Sequence, residues 1–196
     1  AGADIKELRG RALIEQKRGA ELGQSVFAKL DSLPVASVAL VNGYAFGGGS
    51  ELALACTFRL ASPNAVFGLP EIKLGLIPGY GGTQRLPRLI GEGRALEIIM
   101  TGRNVKAEEA ERIGLVNAIA EGDLMEAGRE FAGKFTRYSL PVLECARSAV
   151  QRGGDVTLAE GLRIEADLST LAFRTADAEE GMAAFEEKRK AEFKDG

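Results

Sequence analysis

Three consecutive glycines, Gly47, Gly48 and Gly49, follow an apolar run and open a stretch of helical character whose first turn carries Glu51. Glycine inside a helix or strand costs about 0.5–1 kcal/mol relative to alanine, so the triplet marks a place where backbone must lie bare. At a helix start the first N–H groups lack intrahelical partners, and the macrodipole adds about half a positive charge. Such a loop suits a developing oxyanion, with Glu51 beside it. On this stretch alone, a close helix contact and an ordinary helix-start glutamate account for the pattern equally well.

A second stretch, Phe67 to Leu86, sets Glu71 among apolar residues punctuated by Pro70, Pro78 and several glycines, where a charge is not needed for solubility. Two glutamates in apolar settings form a candidate acid/base pair. The chain has no histidine, which excludes histidine triads, histidine bases and the common zinc sites. No metal site is expected. Cys56 and Cys145 are too few for a disulfide framework and are expected to be core thiols. Chemistry is left to carboxylates, backbone dipoles, Tyr, Lys and Arg.

With 196 residues, 45% of them hydrophobic and 27% charged, the chain can build the core of one globular domain. Apolar runs break well before 18 residues, and none has the order of a signal peptide. The expectation is a soluble, cytoplasmic protein without a membrane partner. A net charge of −3 provides no general field for nucleic acid. The cluster Lys188-Arg189-Lys190 is expected to be a solvated helix face.

In chain order, Leu22, Val26, Phe27, Leu30 and Leu33 recur at helical spacing up to Pro34. Residues 35–41 predict a strand buried on both faces, so the glycine loop lies at the carboxyl end of a strand, where α/β proteins place ligands. A helix over 50–56 follows, then short strands at 58–61 and 65–67 joined by Ser62-Pro63-Asn64. Strand, helix and paired short strands form a unit that can recur as a spiral. From Gly91 the chain is mostly helical. One helix carries Ala95, Ile98 and Ile99, and another runs from Ala107 to Ile113 with Gly114 closing it. A last short strand is expected over 115–119. Apolar stripes at Leu124, Ala127, Phe131 and Phe135, and at Leu143, Ala146 and Val150, are expected in the core. Asp177 to Glu180 has the form of a cap for the terminal helix.

These residues resemble the enoyl-CoA hydratases of the crotonase superfamily. The resemblance runs from Ala1–Lys6 through Asn42–Glu51, Phe67–Leu86, Thr101-Gly102 and Gly114-Leu115-Val116 to Glu180-Gly181-Met182 and Phe185–Phe193. It implies an α/β fold, a spiral of ββα repeats with a helical C-terminal oligomerisation portion. The division it implies is a crotonase core over 1–120 and a trimerisation portion over 121–196. Family members carry a further segment ahead of the point where this chain begins, so the N-terminal part of the fold is expected to be absent here.

The resemblance also implies roles. Glu51 and Glu71 match the two catalytic glutamates, and Ala3 and Gly48 match the residues whose N–H groups bind the thioester oxygen. Ala1, Gly2, Asp4, Ile5, Gly47, Pro70 and Gly79 fall at substrate-binding positions, as do Lys190 and Phe193 near coenzyme A. The implied reaction adds water across the 2,3 double bond of a 2-enoyl-CoA, in fatty-acid or amino-acid breakdown. Coenzyme A is then part of the substrate and no separate cofactor is expected. The implied assembly is a homotrimer or a hexamer made of two trimers. An enoyl-CoA isomerase or another crotonase-type acyl-CoA enzyme is the neighbouring reading. A silent or RNA-binding homologue is the distant one.

Overall fold

The computed structural model describes every residue except Ala1 and Ala3. It divides into two compact units, Ala1–Glu130 and Phe131–Gly196.

The first unit begins with helices α1 (Ile5–Leu8) and α2 (Leu13–Asp31). Then come β1 (Val38–Val41), β2 (Tyr44–Phe46), α3 (Gly48–Ala55), β3 (Phe58–Ala61) and β4 (Val66–Gly68). A 3-10 turn at Pro70–Leu74 leads to α4 (Gly82–Ile90) and α5 (Glu92–Thr101). The strand β5 (Val105–Lys106), α6 (Ala107–Arg112), β6 (Ala118–Ile119) and α7 (Leu124–Gly133) complete the order, and the division between the units falls inside α7.

The strands form two three-stranded sheets, β1-β3-β6 and β2-β4-β5. Val38 lies opposite Phe58 and Tyr44 opposite Val66, both pairs parallel. Parallel neighbours need a long crossover, and here it is β2 plus α3 between β1 and β3, and α3 plus β3 between β2 and β4. One winding of strand, strand and helix therefore advances both sheets by one strand, the ββα repeat implied by the resemblance; β3 and β4, expected as a pair, lie in different sheets.

β1 begins at Val38 rather than at residue 35, and its residues are half-buried, not buried on both faces. It is an edge strand of its sheet. The strand expected over 115–119 is shortened to Ala118–Ile119 because the Leu115 and Val116 N–H groups donate to the Ala110 carbonyl at the end of α6.

The core joins Phe67 and Leu69 to Leu86, Ile98 and Val105, together with the buried alanines Ala45, Ala53, Ala61 and Ala107. Burying a side chain of the Phe or Leu class stabilises by roughly 1.5–3 kcal/mol. Beneath α3 lies Arg59, buried in β3. It donates through Nε to the Leu115 carbonyl at 2.8 Å and through Nη1 to the Cys56 carbonyl at 2.6 Å. A cation at a helix C-terminus satisfies orphan carbonyls and complements the dipole, so α3 is fixed at the end away from its glycines.

The second unit holds α8 (Leu140–Gly153), α9 (Leu158–Phe173) and α10 (Ala176–Glu186). α10 is capped by Thr175, whose Oγ1 accepts from the Ala178 N–H at 3.1 Å. Asp177 is not the cap. It is buried and accepts from the Lys194 N–H at 2.7 Å, pinning the terminal segment to the helix. Arg189 forks onto both Glu180 oxygens, 2.6 and 2.9 Å, and holds that carboxyl down at about 2. Val150, expected in the core, is exposed, as are Phe173 and Phe185. No helix among the described residues is long and apolar enough to cross a membrane.

Candidate active site

The glycine loop is built by two strand ends. Gly47 follows β2 with φ 51° and ψ −123°, and its N–H donates to the carbonyl of Gly68, the last residue of β4. The positive φ is one a side chain adopts only under strain. From there α3 starts at Gly48, two residues earlier than the sequence suggests, and the Glu51 N–H closes its first turn on the Gly47 carbonyl at 2.9 Å. The N–H groups of Gly48 and Gly49 thus belong to the first turn, where the helix offers no acceptor. A Cβ placed on Gly2 would lie 2.8 Å from the Phe46 carbonyl oxygen and 3.9 Å from the Gly48 nitrogen. Gly2 therefore lies directly over the loop.

Glu51 is 1% exposed. Its Oε1 accepts two backbone N–H groups, from Tyr80 and Gly82, each at 2.8 Å. A Cβ on Gly82 would come within 3.1 Å of Glu51 Cγ and Oε1 and of Leu69 Cδ1, so glycine there permits the amide to reach the carboxylate. Burial pushes the Glu51 carboxyl above its usual range. The two amides and the charge of Arg85 pull in the opposite direction without cancelling it.

Glu71 enters from the 3-10 turn. Its Oε1 rests on Gly47, where a Cβ would sit only 2.8 Å away, and its Oε2 is buried with no hydrogen-bond partner. Burial raises this carboxyl too, and the nearby charge of Glu51 raises it further. The two glutamates thus converge on one loop in different states of satisfaction. One holds a doubly donated oxygen that favours the ionised form, and the other holds a dry, unpartnered oxygen that favours the proton.

A stability consequence follows for Glu71. Its folded pKa lies above the ordinary 4.5, so the folded state binds that proton more tightly than the unfolded chain does. The associated stability is present below 4.5 and is lost as pH rises through the folded value. Glu71→Gln removes this loss. By differential scanning calorimetry the variant should melt above the parent at pH 7, and the gap should close toward pH 4. A variant that melts below the parent at pH 7 contradicts the assignment.

The remaining candidates spread out. Asp4 caps α1 through the Lys6 N–H at 2.8 Å, and Ile5 is 52% exposed. Pro70 opens the 3-10 turn, and the Gly79 carbonyl accepts from Gln24 Nε2 at 2.9 Å. Lys190 is exposed, while Phe193 lies against Gly181 with Tyr138 nearby, both within the second unit. Ala1 and Ala3 lie outside the described residues. No cluster of metal-ligating side chains occurs among the described residues. Sequence reasoning missed the amides of Tyr80 and Gly82. The available signal was the run Gly79-Tyr80-Gly81-Gly82, a second bare backbone segment in an apolar setting.

A family model described as enoyl-CoA hydratase/isomerase matches residues 1–196. The short-chain-enoyl-CoA hydratase of Clostridium acetobutylicum is 44% identical over 193 residues, covering 98% of this chain and 74% of that protein. The crotonyl-CoA hydratase of Syntrophomonas wolfei is 42% identical over 194 residues, 98% of this chain and 75% of the relative. Among solved structures, an enoyl-CoA hydratase from Bacillus anthracis superposes with a TM-score of 0.93 at 41% identity, covering all of this chain and 76% of that one.

Proposed function

The chain belongs to the enoyl-CoA hydratase/isomerase family, and from that premise we propose that it adds water across the 2,3 double bond of a 2-enoyl-CoA to give 3-hydroxyacyl-CoA. The observation that carries this reading is the pair Glu51 and Glu71, both present and both packed about the glycine loop. The thioester oxygen accepts from the N–H groups of Gly48 and Ala3. As water attacks carbon 3, the π electrons move toward that oxygen, and donors at a helix start hold the resulting enolate more strongly than the ground state. Glu51, its Oε1 anchored by two amides, takes the proton of the attacking water. Glu71, whose carboxyl is raised above its usual range by burial, delivers a proton to carbon 2. A proton returning from Glu51 to Glu71 restores the starting state. An isomerase moves one proton along the acyl chain and has less use for two carboxyls.

Coenzyme A enters as part of the substrate, held by the N-terminal segment about Gly2, Asp4 and Ile5 and by the loop residues Gly47, Pro70 and Gly79. We assign catalysis to residues 1–120 and assembly into trimers, or hexamers of two trimers, to residues 121–196. The exposed Leu158, Leu162, Leu171, Phe173 and Phe185 support that assignment, since apolar surface of this extent marks contact sites. An RNA-binding role has little support, because Arg189 of the basic cluster is taken up by Glu180 and Glu187. The unpaired thiols Cys56 and Cys145 support a reducing compartment, the cytoplasm.

Crotonyl-CoA mixed with the folded protein should lose the ultraviolet absorbance of its conjugated double bond as 3-hydroxybutyryl-CoA forms. Unchanged absorbance with folded protein would overturn the reading.

A further inference from the structure

The turn that supplies the Tyr80 and Gly82 amides is gripped from outside the site. Tyr80 presses edge-on against Phe27 of α2, with ring centroids 5.8 Å apart at 84°. Its ring also lies so close to Gly23 that any Cβ there would overlap it. Gln24 Nε2 holds the Gly79 carbonyl. From the α4 side, Arg85 Nη1 donates to the Tyr80 carbonyl at 3.2 Å and rests on Gly81, where a Cβ would overlap the guanidinium. Arg85 Nη2 pairs with Asp31 at the end of α2, at 2.7 Å. One peptide unit thus separates a guanidinium held by α2 from an amide held by Glu51.

We propose that Arg85, braced on Asp31, is a positioning residue for Glu51: it fixes the 79–82 turn so that the Tyr80 and Gly82 amides aim at Glu51 Oε1. The α2 face formed by Gly23, Gln24 and Phe27 is the other half of the same clamp. This rests on the reading of Glu51 as the base. Arg85 acts twice, through geometry and through charge, because a cation near a buried carboxylate favours the ionised form the base requires. The direction of its effect on Glu51 agrees. The charged groups about Glu51 are Arg85 from α4, Glu71 from the 3-10 turn, Asp31 of α2 behind Arg85, and Arg59 at the far end of α3. Of these, Arg85 is the cation tied to the turn that holds Oε1. Gly23 supplies an independent handle, because alanine is the better helix former yet its Cβ must displace the Tyr80 ring.

The test is the pH profile of kcat and kcat/KM for crotonyl-CoA hydration in the parent, Arg85→Met, Arg85→Lys, Gly23→Ala and Glu51→Gln. Arg85→Met should lose about tenfold or more in kcat, with KM within about threefold. The acid limb of its kcat/KM profile should move upward by about half a pH unit or more, since a base with a raised pKa is protonated at higher pH. Arg85→Lys, which retains the charge, should return the limb toward the parent while recovering only part of kcat. Gly23→Ala, with every charge in place, should lose about threefold or more in kcat. Parental kcat and limb in Arg85→Met would overturn the proposal, as would a loss equal at every pH with the limb unmoved. Should Arg85→Met fail to fold, Gly23→Ala with parental kcat overturns it instead. Substantial activity in Glu51→Gln would sink the underlying reading. An inactive Glu51→Gln beside a parent-like Arg85→Met sinks this inference alone.

Discussion

Glu51→Gln and Glu71→Gln are each expected to lower kcat by about 10²–10⁴-fold while KM moves by no more than about threefold. Both carboxyls are set apart from ordinary surface glutamates by burial, which raises their pKa values before any neighbour acts. Glutamine retains shape and hydrogen-bonding capacity at either site, and only proton transfer is lost. The Tyr80 and Gly82 N–H groups keep an acceptor in the Glu51→Gln amide oxygen, so the fold should tolerate the change. Because the two groups serve one transition state, the double variant should be only modestly slower than the slower single one. Steady-state kinetics with crotonyl-CoA decides it. Near-parental turnover in either single variant rules out the paired mechanism.

The second large effect is expected at Gly48, where Gly48→Pro should reduce kcat by about 10²–10³-fold, the loss associated with one oxyanion donor. Gly48 is the first residue of α3, the helical position where proline is best accepted, because its N–H has no intrahelical partner. The substitution therefore removes the proposed donor while leaving the i to i−4 ladder of the helix intact. Circular dichroism should report a folded protein. A folded Gly48→Pro variant with parental turnover would take Gly48 out of the oxyanion site.

Much of the site is legible in the sequence because its parts are local. The glycine triplet and Glu51 share one strand-to-helix junction, and Glu71 sits three residues beyond a strand. Turn residues and β-branched runs placed β3 and β4 to within a residue. What escaped was set by distant partners. The turn at 79–82 receives its meaning from Glu51, some thirty positions back, and from α2, more than fifty back. No local propensity encodes those contacts. Asp177 was misread for the same reason: as a first-turn acid it has the form of a cap, yet its partner is the Lys194 amide. Arg59 shows a further limit, since a strand arginine looks solvent-facing until the carbonyls at the end of α3 are seen to surround it.

The central claim is that one loop holds the thioester oxygen while two glutamates share the water. A crystal structure of the protein with an unreactive acyl-CoA tests it most directly. The account predicts the thioester oxygen at about 2.7–3.1 Å from the Gly48 and Ala3 nitrogens, with the Glu51 and Glu71 carboxyls on one side of carbons 2 and 3 and a single water between them. A thioester seated away from the Gly47–Gly49 loop, or carboxyls too far apart to bind one water, would contradict it.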